Sequence, residues 1–291
     1  MSSPSKSVPF TKMHGAGNDV IILDAIRDVM PEDLGAFSRR ISHRQFGIGA
    51  DQILVVRESQ NADFRMEIFN ADGSQVEMCA NGIRAFYKYL RDHGHTDADE
   101  ISVETLSGVV RPRWAGEGMI RVDMGLPVLE PAKIPTTLGS GDGPVLDVRL
   151  DVALEAGASE RVTLSSASMG NPHAVVVVDN VDTTAVHELG SAIERHSAFP
   201  NRVNVEFIEI VDRSRFRQRT WERGTGETLA CGSGACAAAV VSMLRGVVDR
   251  KVVVELRGGE LEIAWADDQS PVLMTGPAQH VFAGSIPLEE A

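Results

Sequence analysis

Short branched-apolar runs, set between polar glycine-rich turns, dominate the chain, and a helical period shows at only a few places. Val8-Pro-Phe-Thr-Lys-Met13, Val20-Ile-Ile-Leu23, Ile53-Leu-Val-Val56 and Phe64-Arg-Met-Glu-Ile-Phe69 have the length and branching of strands. Pro31 to Ile41 suits a short helix with proline in its first turn. After Cys79, the apolar residues Ile83, Phe86, Tyr87 and Leu90 fall three and four apart, which predicts a helix buried along one face. Strands resume at 101–105, 109–114 and 119–124.

A proline-rich connector, Leu126 to Pro135, marks a domain boundary. The loop Gly139 to Gly143 beyond it reads as a hairpin or surface segment. The same order of elements then recurs. A strand at 161–165 is followed by the turn Ser168-Met-Gly-Asn171-Pro172-His173 and a buried strand from Ala174 to Val178. Next come a helix within Thr183–Arg195, an alternating strand from Asn201 to Ile210, and a strand from Phe216 to Trp221. The stretch Ala235 to Leu244 is almost wholly apolar and predicts a helix buried on all sides. Strands at 252–256, 260–265 and 271–276 complete the pattern. Regular strand–helix alternation is missing, which argues against a doubly wound parallel sheet. The expected fold is α+β: two pseudo-symmetric domains, each a curled, mostly antiparallel, barrel-like sheet around a central helix.

Composition narrows the function. At 291 residues the chain can form two domains of ordinary size. No apolar run reaches the ~20 residues of a membrane span, so no membrane partner is expected. A net charge of −13 without a basic stripe argues against nucleic acid. It also gives no long-range attraction for an anion, so any carboxylate must be held by local groups. Three cysteines form an odd set, unsuited to a disulfide framework and without zinc-site spacing, so no metal is expected. Met1-Ser-Ser-Pro-Ser-Lys-Ser lacks the apolar segment of a secretory signal, and a cytoplasmic location is the expectation.

Two of the cysteines carry the candidate chemistry. Asn70-Ala-Asp-Gly-Ser-Gln-Val-Glu-Met-Cys79-Ala-Asn-Gly and Glu222-Arg-Gly-Thr-Gly-Glu-Thr-Leu-Ala-Cys231-Gly-Ser-Gly each place a ligand-capable polar residue nine positions before a cysteine that opens a helix. A helix N-terminus offers N–H groups and positive dipole charge, which bind carboxylates and acidify thiols. Backbone N–H groups of Ala80, Asn81, Gly232 and Ser233 can steady the charge that develops when a proton leaves the carbon beside a carboxylate. Two such thiols on opposite faces of one carbon would invert it, one as base and one as acid. Simpler roles stand beside this one. Cys236 reads as a buried small hydrophobe, His173 and His14 as turn residues, and Arg84 and Glu227 as helix caps or surface partners. Neither glycine turn has nucleotide-binding spacing.

At these residues the chain resembles the diaminopimelate epimerases along nearly its whole length. The resemblance rests on Lys12-Met-His-Gly-Ala-Gly-Asn18-Asp19, Gly47-Ile-Gly-Ala-Asp51-Gln52, Phe69-Asn70-Ala-Asp-Gly-Ser and Cys79-Ala-Asn81-Gly-Ile-Arg84. It continues through Gly170-Asn171-Pro-His173, Arg202-Val-Asn204-Val and Glu222-Arg223-Gly-Thr-Gly-Glu-Thr-Leu-Ala-Cys231-Gly-Ser-Gly-Ala. It implies a cofactor-independent epimerase that interconverts LL- and meso-2,6-diaminopimelate for lysine and peptidoglycan precursor synthesis. Cys79 and Cys231 would be the acid/base pair. Asn18, Gln52, Asn70, Asn171, Asn204, Glu222 and Arg223 would line the substrate site, with Arg223 on the distal carboxylate and Glu222 on an ammonium group. Ala80-Asn81 and Gly232-Ser233 would hold the reacting carboxylate, and His173 and Glu222 would tune the thiols. A homodimer is implied. So is a division into 1–128 plus 277–291, carrying Cys79, and 129–276, carrying Cys231. Ala80 stands where the family usually has glycine, so either that position is ordinary helical backbone or the turn shifts. Val20 stands where an aromatic is common. Other readings stay open: an epimerase of proline-like amino acids on the same fold, a thiol redox protein pairing Cys79 with Cys231, or a binding module without turnover. The charged pair Glu222-Arg223 favours a long substrate with a second charged end.

Overall fold

The computed structural model describes residues 7–77, 79–139, 141, 143–154 and 157–288. Met1–Lys6, on which the leader argument rests, and Ser140 and Asp142 of the glycine loop lie outside the described residues. The chain divides into two compact units, Met1–Val122 with Gly276–Ala291, and Asp123–Thr275.

In the first unit, β1 (Ser7–Gly15) and β2 (Asn18–Asp24) form a hairpin whose turn residues Ala16 and Gly17 both have positive φ, 53° and 87°. Helix α1 (Leu34–Ser42) carries the chain to β3 (Gln52–Arg57), parallel to β2. Then β4 (Phe64–Asn70) runs antiparallel to β3, and β5 (Gln75–Val76) folds back on the end of β4. Helix α2 (Ala80–Asp92) follows. β6 (Val103–Thr105) lies parallel to β4, and β7 (Gly108–Val110) antiparallel to β6. A hairpin of β8 (Arg113–Trp114) and β9 (Met119–Asp123) comes next.

The second unit begins with β10 (Val145–Ala153), antiparallel to β11 (Ser159–Ser168). From there it repeats the first unit element by element. β12 (Pro172–Val177) is antiparallel to β11. Helix α3 (Val186–Glu194) crosses to β13 (Asn204–Asp212), parallel to β12. β14 (Arg215–Glu222), β15 (Gly226–Thr228), α4 (Gly232–Leu244), β16 (Lys251–Leu256) and β17 (Gly259–Ala264) take the pairings of β4 to β7 with α2. β18 (Leu273–Pro277) pairs with β17. The last strand, β19 (Gln279–Pro287), runs antiparallel to β1, the place that β10 holds beside β11. The expected α+β class therefore forms, as curled sheets that do not close into barrels.

Strand register converts this duplication into residue equivalences. Val20 faces Gln52 as His173 faces Asn204, and Ile53 faces Phe69 as Val205 faces Trp221. Asn18 thus corresponds to Asn171, Gln52 to Asn204, Leu54 to Glu206, Asn70 to Glu222 and Cys79 to Cys231.

The two central strands are buried on both faces because helices cover both. Ile21, Leu23, Ile53 and Val55 form one core with Phe37 and Ile41 of α1, while α2 packs on β1, β2 and β3. Ala174, Val176, Val205 and Phe207 likewise meet Val186, Leu189 and Ile193 of α3, and α4 covers β11, β12 and β13. Only Ser233 and Leu244 of α4 escape full burial, as its uniform apolarity requires. Among the described residues no helix is long and apolar enough to cross a membrane.

Helix α1 starts later than proline placement suggests, because Asp33 caps it by accepting from the Ala36 N–H at 2.9 Å. β10 escapes the apolar-pattern reading because it is an edge strand, its pairing one-sided and set by distant residues. Arg84 is neither cap nor surface partner. It is fully buried and donates to the Ala80 carbonyl (3.2 Å), Asn81 Oδ1 (2.9 Å) and the Pro277 carbonyl (3.3 Å), tying the start of α2 to the returning C-terminal segment. Arg84→Leu removes three charge-assisted hydrogen bonds from a buried place. Its expected cost is about 3 kcal/mol, read as a lower urea midpoint at unchanged m-value.

Candidate active site

Cys79 and Cys231 have the same backbone, φ/ψ of −140°/107° and −123°/108°, and each is the N-cap of its helix. The cap acceptor is sulfur instead of the usual oxygen. Cys79 Sγ accepts from the Gly82 N–H at 3.0 Å, and Cys231 Sγ from the Gly234 N–H at 3.4 Å. The N–H groups of Ala80 and Asn81, and of Gly232 and Ser233, lie in the first turn, where helix geometry provides no intrahelical carbonyl.

The glycine three residues after each cysteine is required by contact. A Cβ on Gly82 would lie 2.9 Å from Cys79 Sγ and 3.3 Å from Leu54 Cδ1. On Gly234 it would collide with Glu206 Oε1 and lie 3.2 Å from Cys231 Sγ. Ala80 is the first residue of α2 and is absent from the positive-φ residues. That position is ordinary helical backbone, so alanine fits without shifting the turn.

Around Cys79 the side chains are amides. Cys79 Sγ lies 3.8 Å from Asn18 Oδ1, and Asn18 Nδ2 donates to Asp51 Oδ2 at 2.9 Å. Gln52 Nε2 donates to Asn70 Oδ1 at 3.1 Å, while its own Oε1 is buried with no hydrogen-bond partner among the described residues. These amides sit at the starts of β2 and β3 and the end of β4, one edge of the sheet.

A charge cluster holds that edge. Lys12 donates to Asp19 (2.6 Å) and to the Gly49 carbonyl, and Arg44 bridges Asp19 (3.0 Å) and Asp51 (2.7 Å). Burial alone would raise the Asp19 carboxyl, but hydrogen bonds from Arg44 and Lys12 bring it down to about 2. Asp51 is raised, by burial first and then by the charge of Asp19. Lys12, Asp19 and Asp51 lie within the quoted motifs, but the sequence alone assigns them no role. Their signal was charge flanking two glycine turns that the parallel strand pair brings together.

Around Cys231 the groups are charged. Glu222, at the end of β14, accepts from Thr228 Oγ1 at 2.6 Å. Asn204 accepts from the Arg223 N–H at 2.9 Å and donates to the Pro172 carbonyl at 3.0 Å, so it joins two turns. The Arg223 guanidinium is exposed and donates to the Asn201 carbonyl at 3.0 Å. His173 is fully buried, with Nδ1 2.9 Å from Glu206 Oε1 and Nε2 2.9 Å from Asn171 Oδ1. Asn171 Oδ1 therefore lies against the His173 ring. Ser233 Oγ lies 3.5 Å from Cys231 Sγ. Burial pushes the Cys231 thiol well above its ordinary range. The negative charges of Glu222 and Glu206 add to this, and hydrogen bonds from Ser233 and Gly234 offset part of it. Glu206 and Thr228 were missed in the sequence, since a glutamate within an alternating strand looks like a solvated position.

Other candidates fall away. Cys236 is fully buried in α4, His14 accepts from the Gly17 N–H in the β1–β2 turn at 3.4 Å, and Glu227 pairs with Arg219 and Arg257.

The family profile described as diaminopimelate epimerase matches residues 10–130 and 165–281. A protein named diaminopimelate epimerase from Aromatoleum aromaticum is 50% identical over 288 residues, covering 97% of this chain and 100% of that one. Another of that name from Moorella thermoacetica is 48% identical, covering 96% and 99%. Among solved structures, a hydroxyproline epimerase from Agrobacterium vitis aligns with a TM-score of 0.66 at 15% identity, covering 98% of this chain and 93% of that one. A PhzF-family phenazine biosynthesis protein from Bacillus anthracis aligns with a TM-score of 0.68 at 17% identity, covering 97% and 99%. These last two share the fold.

The charge cluster makes stability depend on acid. Asp19 titrates at about 2 in the folded chain against 3.8 ordinarily. Its contribution is therefore complete above ~3.8 and is lost as pH falls through ~2. Urea midpoints measured from pH 5 to pH 2 should fall more steeply for the parent protein than for Asp19→Asn.

Proposed function

The chain belongs to the diaminopimelate epimerase family, and from that premise we propose that it interconverts LL- and meso-2,6-diaminopimelate by moving one proton between two thiols, without a cofactor. One observation carries the reading: the same sulfur cradle is built twice, with matching backbone, helix start and glycine contact.

The chemistry follows from that cradle. One sulfur, as thiolate, takes the proton from the α-carbon, and the electron pair moves into the carboxylate. The N–H groups of Ala80 and Asn81, and of Gly232 and Ser233, receive that charge at two positive helix ends. The other sulfur, as thiol, delivers its proton to the opposite face, and the carbon is inverted. Roles exchange in the reverse direction. General acid–base catalysis of this kind contributes roughly 10²–10⁴-fold.

The flanking groups divide the rest of the substrate. Glu222 and the buried Gln52 Oε1 suit ammonium groups. The exposed Arg223 fork suits the distal carboxylate, which it can bind bidentately. Asn18, Asn70, Asn171 and Asn204 supply amide contacts. The cytoplasmic location and homodimeric assembly implied by the family resemblance belong to the same proposal, and light scattering reads the second.

Incubation with meso-diaminopimelate in heavy water, followed by proton NMR, tests it. The expected result is loss of the α-proton signal together with isomer conversion, without added pyridoxal phosphate or metal. Cys79→Ala and Cys231→Ala should each lose about 10³-fold or more in turnover; unchanged conversion in both variants overturns the two-thiol reading. Gly82→Ala and Gly234→Ala displace a sulfur without removing it, and each should lower kcat by roughly 10²-fold with unchanged far-ultraviolet circular dichroism.

A further inference from the structure

The register equivalences show where the duplicated halves part company. Beneath the Cys79 turn the β3 position is Leu54, and the β2 position equivalent to His173 is Val20. Beneath the Cys231 turn the same two positions are Glu206 and His173. Both are fully buried. Glu206 lies mid-strand in β13 and meets α4, a helix with an otherwise apolar body. One carboxylate oxygen meets His173 Nδ1 at 2.9 Å, and the other has no hydrogen-bond partner among the described residues. The carboxylate abuts Gly234, whose N–H is the group that donates to Cys231 Sγ. A buried acid in a slot where the sister domain uses leucine is costly. The Oε1 that meets His173 is also the oxygen packed against Gly234, so the pair is built against the sulfur's own turn, while Oε2 goes unsatisfied among the described residues.

We propose that Glu206, held in place by His173, is a positioning residue that makes the two sulfurs unequal by keeping the proton on Cys231 in the unliganded enzyme. The inference rests on the two-thiol reading. Cys231 is faced by Glu222 from β14, by Glu206 from β13 with His173 of β12 behind it, and by Ser233 and Gly234 of α4. Both carboxylates disfavour a second negative charge at the sulfur. The free enzyme therefore meets substrate with Cys231 as the acid. In the first turnover the other sulfur removes the α-proton, the Cys231 S–H bond breaks, and its proton forms the new C–H bond. The product then leaves an enzyme with its proton on the less favoured sulfur. Exchange with water, or turnover of the opposite isomer, returns it to Cys231.

Competitive alkylation of the whole substrate-free protein by iodoacetamide from pH 6 to pH 10, with peptide mass spectrometry, tests this. Cys231 should label with a midpoint above the ordinary thiol range of about 8.5. Glu206→Gln, near-identical in shape, should lower that midpoint by roughly one unit, which is ~10-fold more thiolate at neutral pH. The double variant His173→Val/Glu206→Leu, which copies the sister domain, should do the same. A change confined to packing alters the labelling rate at every pH but leaves the midpoint in place. Buried Cys236 reports unfolding, and if it becomes labelled in Glu206→Gln the double variant decides. An unmoved Cys231 midpoint overturns the inference while Cys79→Ala and Cys231→Ala remain inactive; activity in those two variants overturns the two-thiol reading instead.

Discussion

The site depends on one contact: a cysteine sulfur that caps its own helix by accepting the N–H of a glycine three residues on. That bond holds the sulfur at the positive end of the helix, where a neighbouring carboxylate can be held by the same first turn. It tolerates no Cβ at the third position, because the sulfur and the strand beneath already occupy that space. It places no such demand on the position after the cysteine, and so Ala80 and Gly232 serve equally well in sister turns.

The rest of each unit keeps that contact in register with its surroundings. A parallel pair of strands, crossed by one helix and covered by the cysteine helix, brings the starts of two strands and the end of a third to one edge. In the first unit that edge is tied by Lys12, Asp19, Arg44 and Asp51, which leaves three amides on display. In the second unit Asn204 and Thr228 do the tying, and charged groups are displayed. Duplication supplies two sulfurs of equal geometry, and divergence of the flanking residues gives the two cysteine turns surroundings of different charge.

Electrostatics then separates what geometry made alike. Glu206 and Glu222 both bear on Cys231, in a place where burial already disfavours a thiolate. Proton transfer between two thiols needs one protonated and one not, and a fixed negative environment at one of them sets that starting condition.

Much of this was legible in the residues. Strand runs, the two cysteine turns and the buried α4 follow from local apolar pattern and glycine placement, which act within a few residues. Seven ordered motifs carried the family resemblance. The tertiary structure decided what depends on distant partners. Among the described residues β10 is an edge strand paired with β11 alone. Arg84 looked like a surface charge until the returning C-terminal segment buried it. Glu206 looked solvated because a strand's alternation does not say which face a second helix will cover. Local sequence determines which way a chain turns and which residues want burial. Only packing of separate segments determines which charges share a dry space, because Coulomb energy there depends on distances that the chain order does not contain.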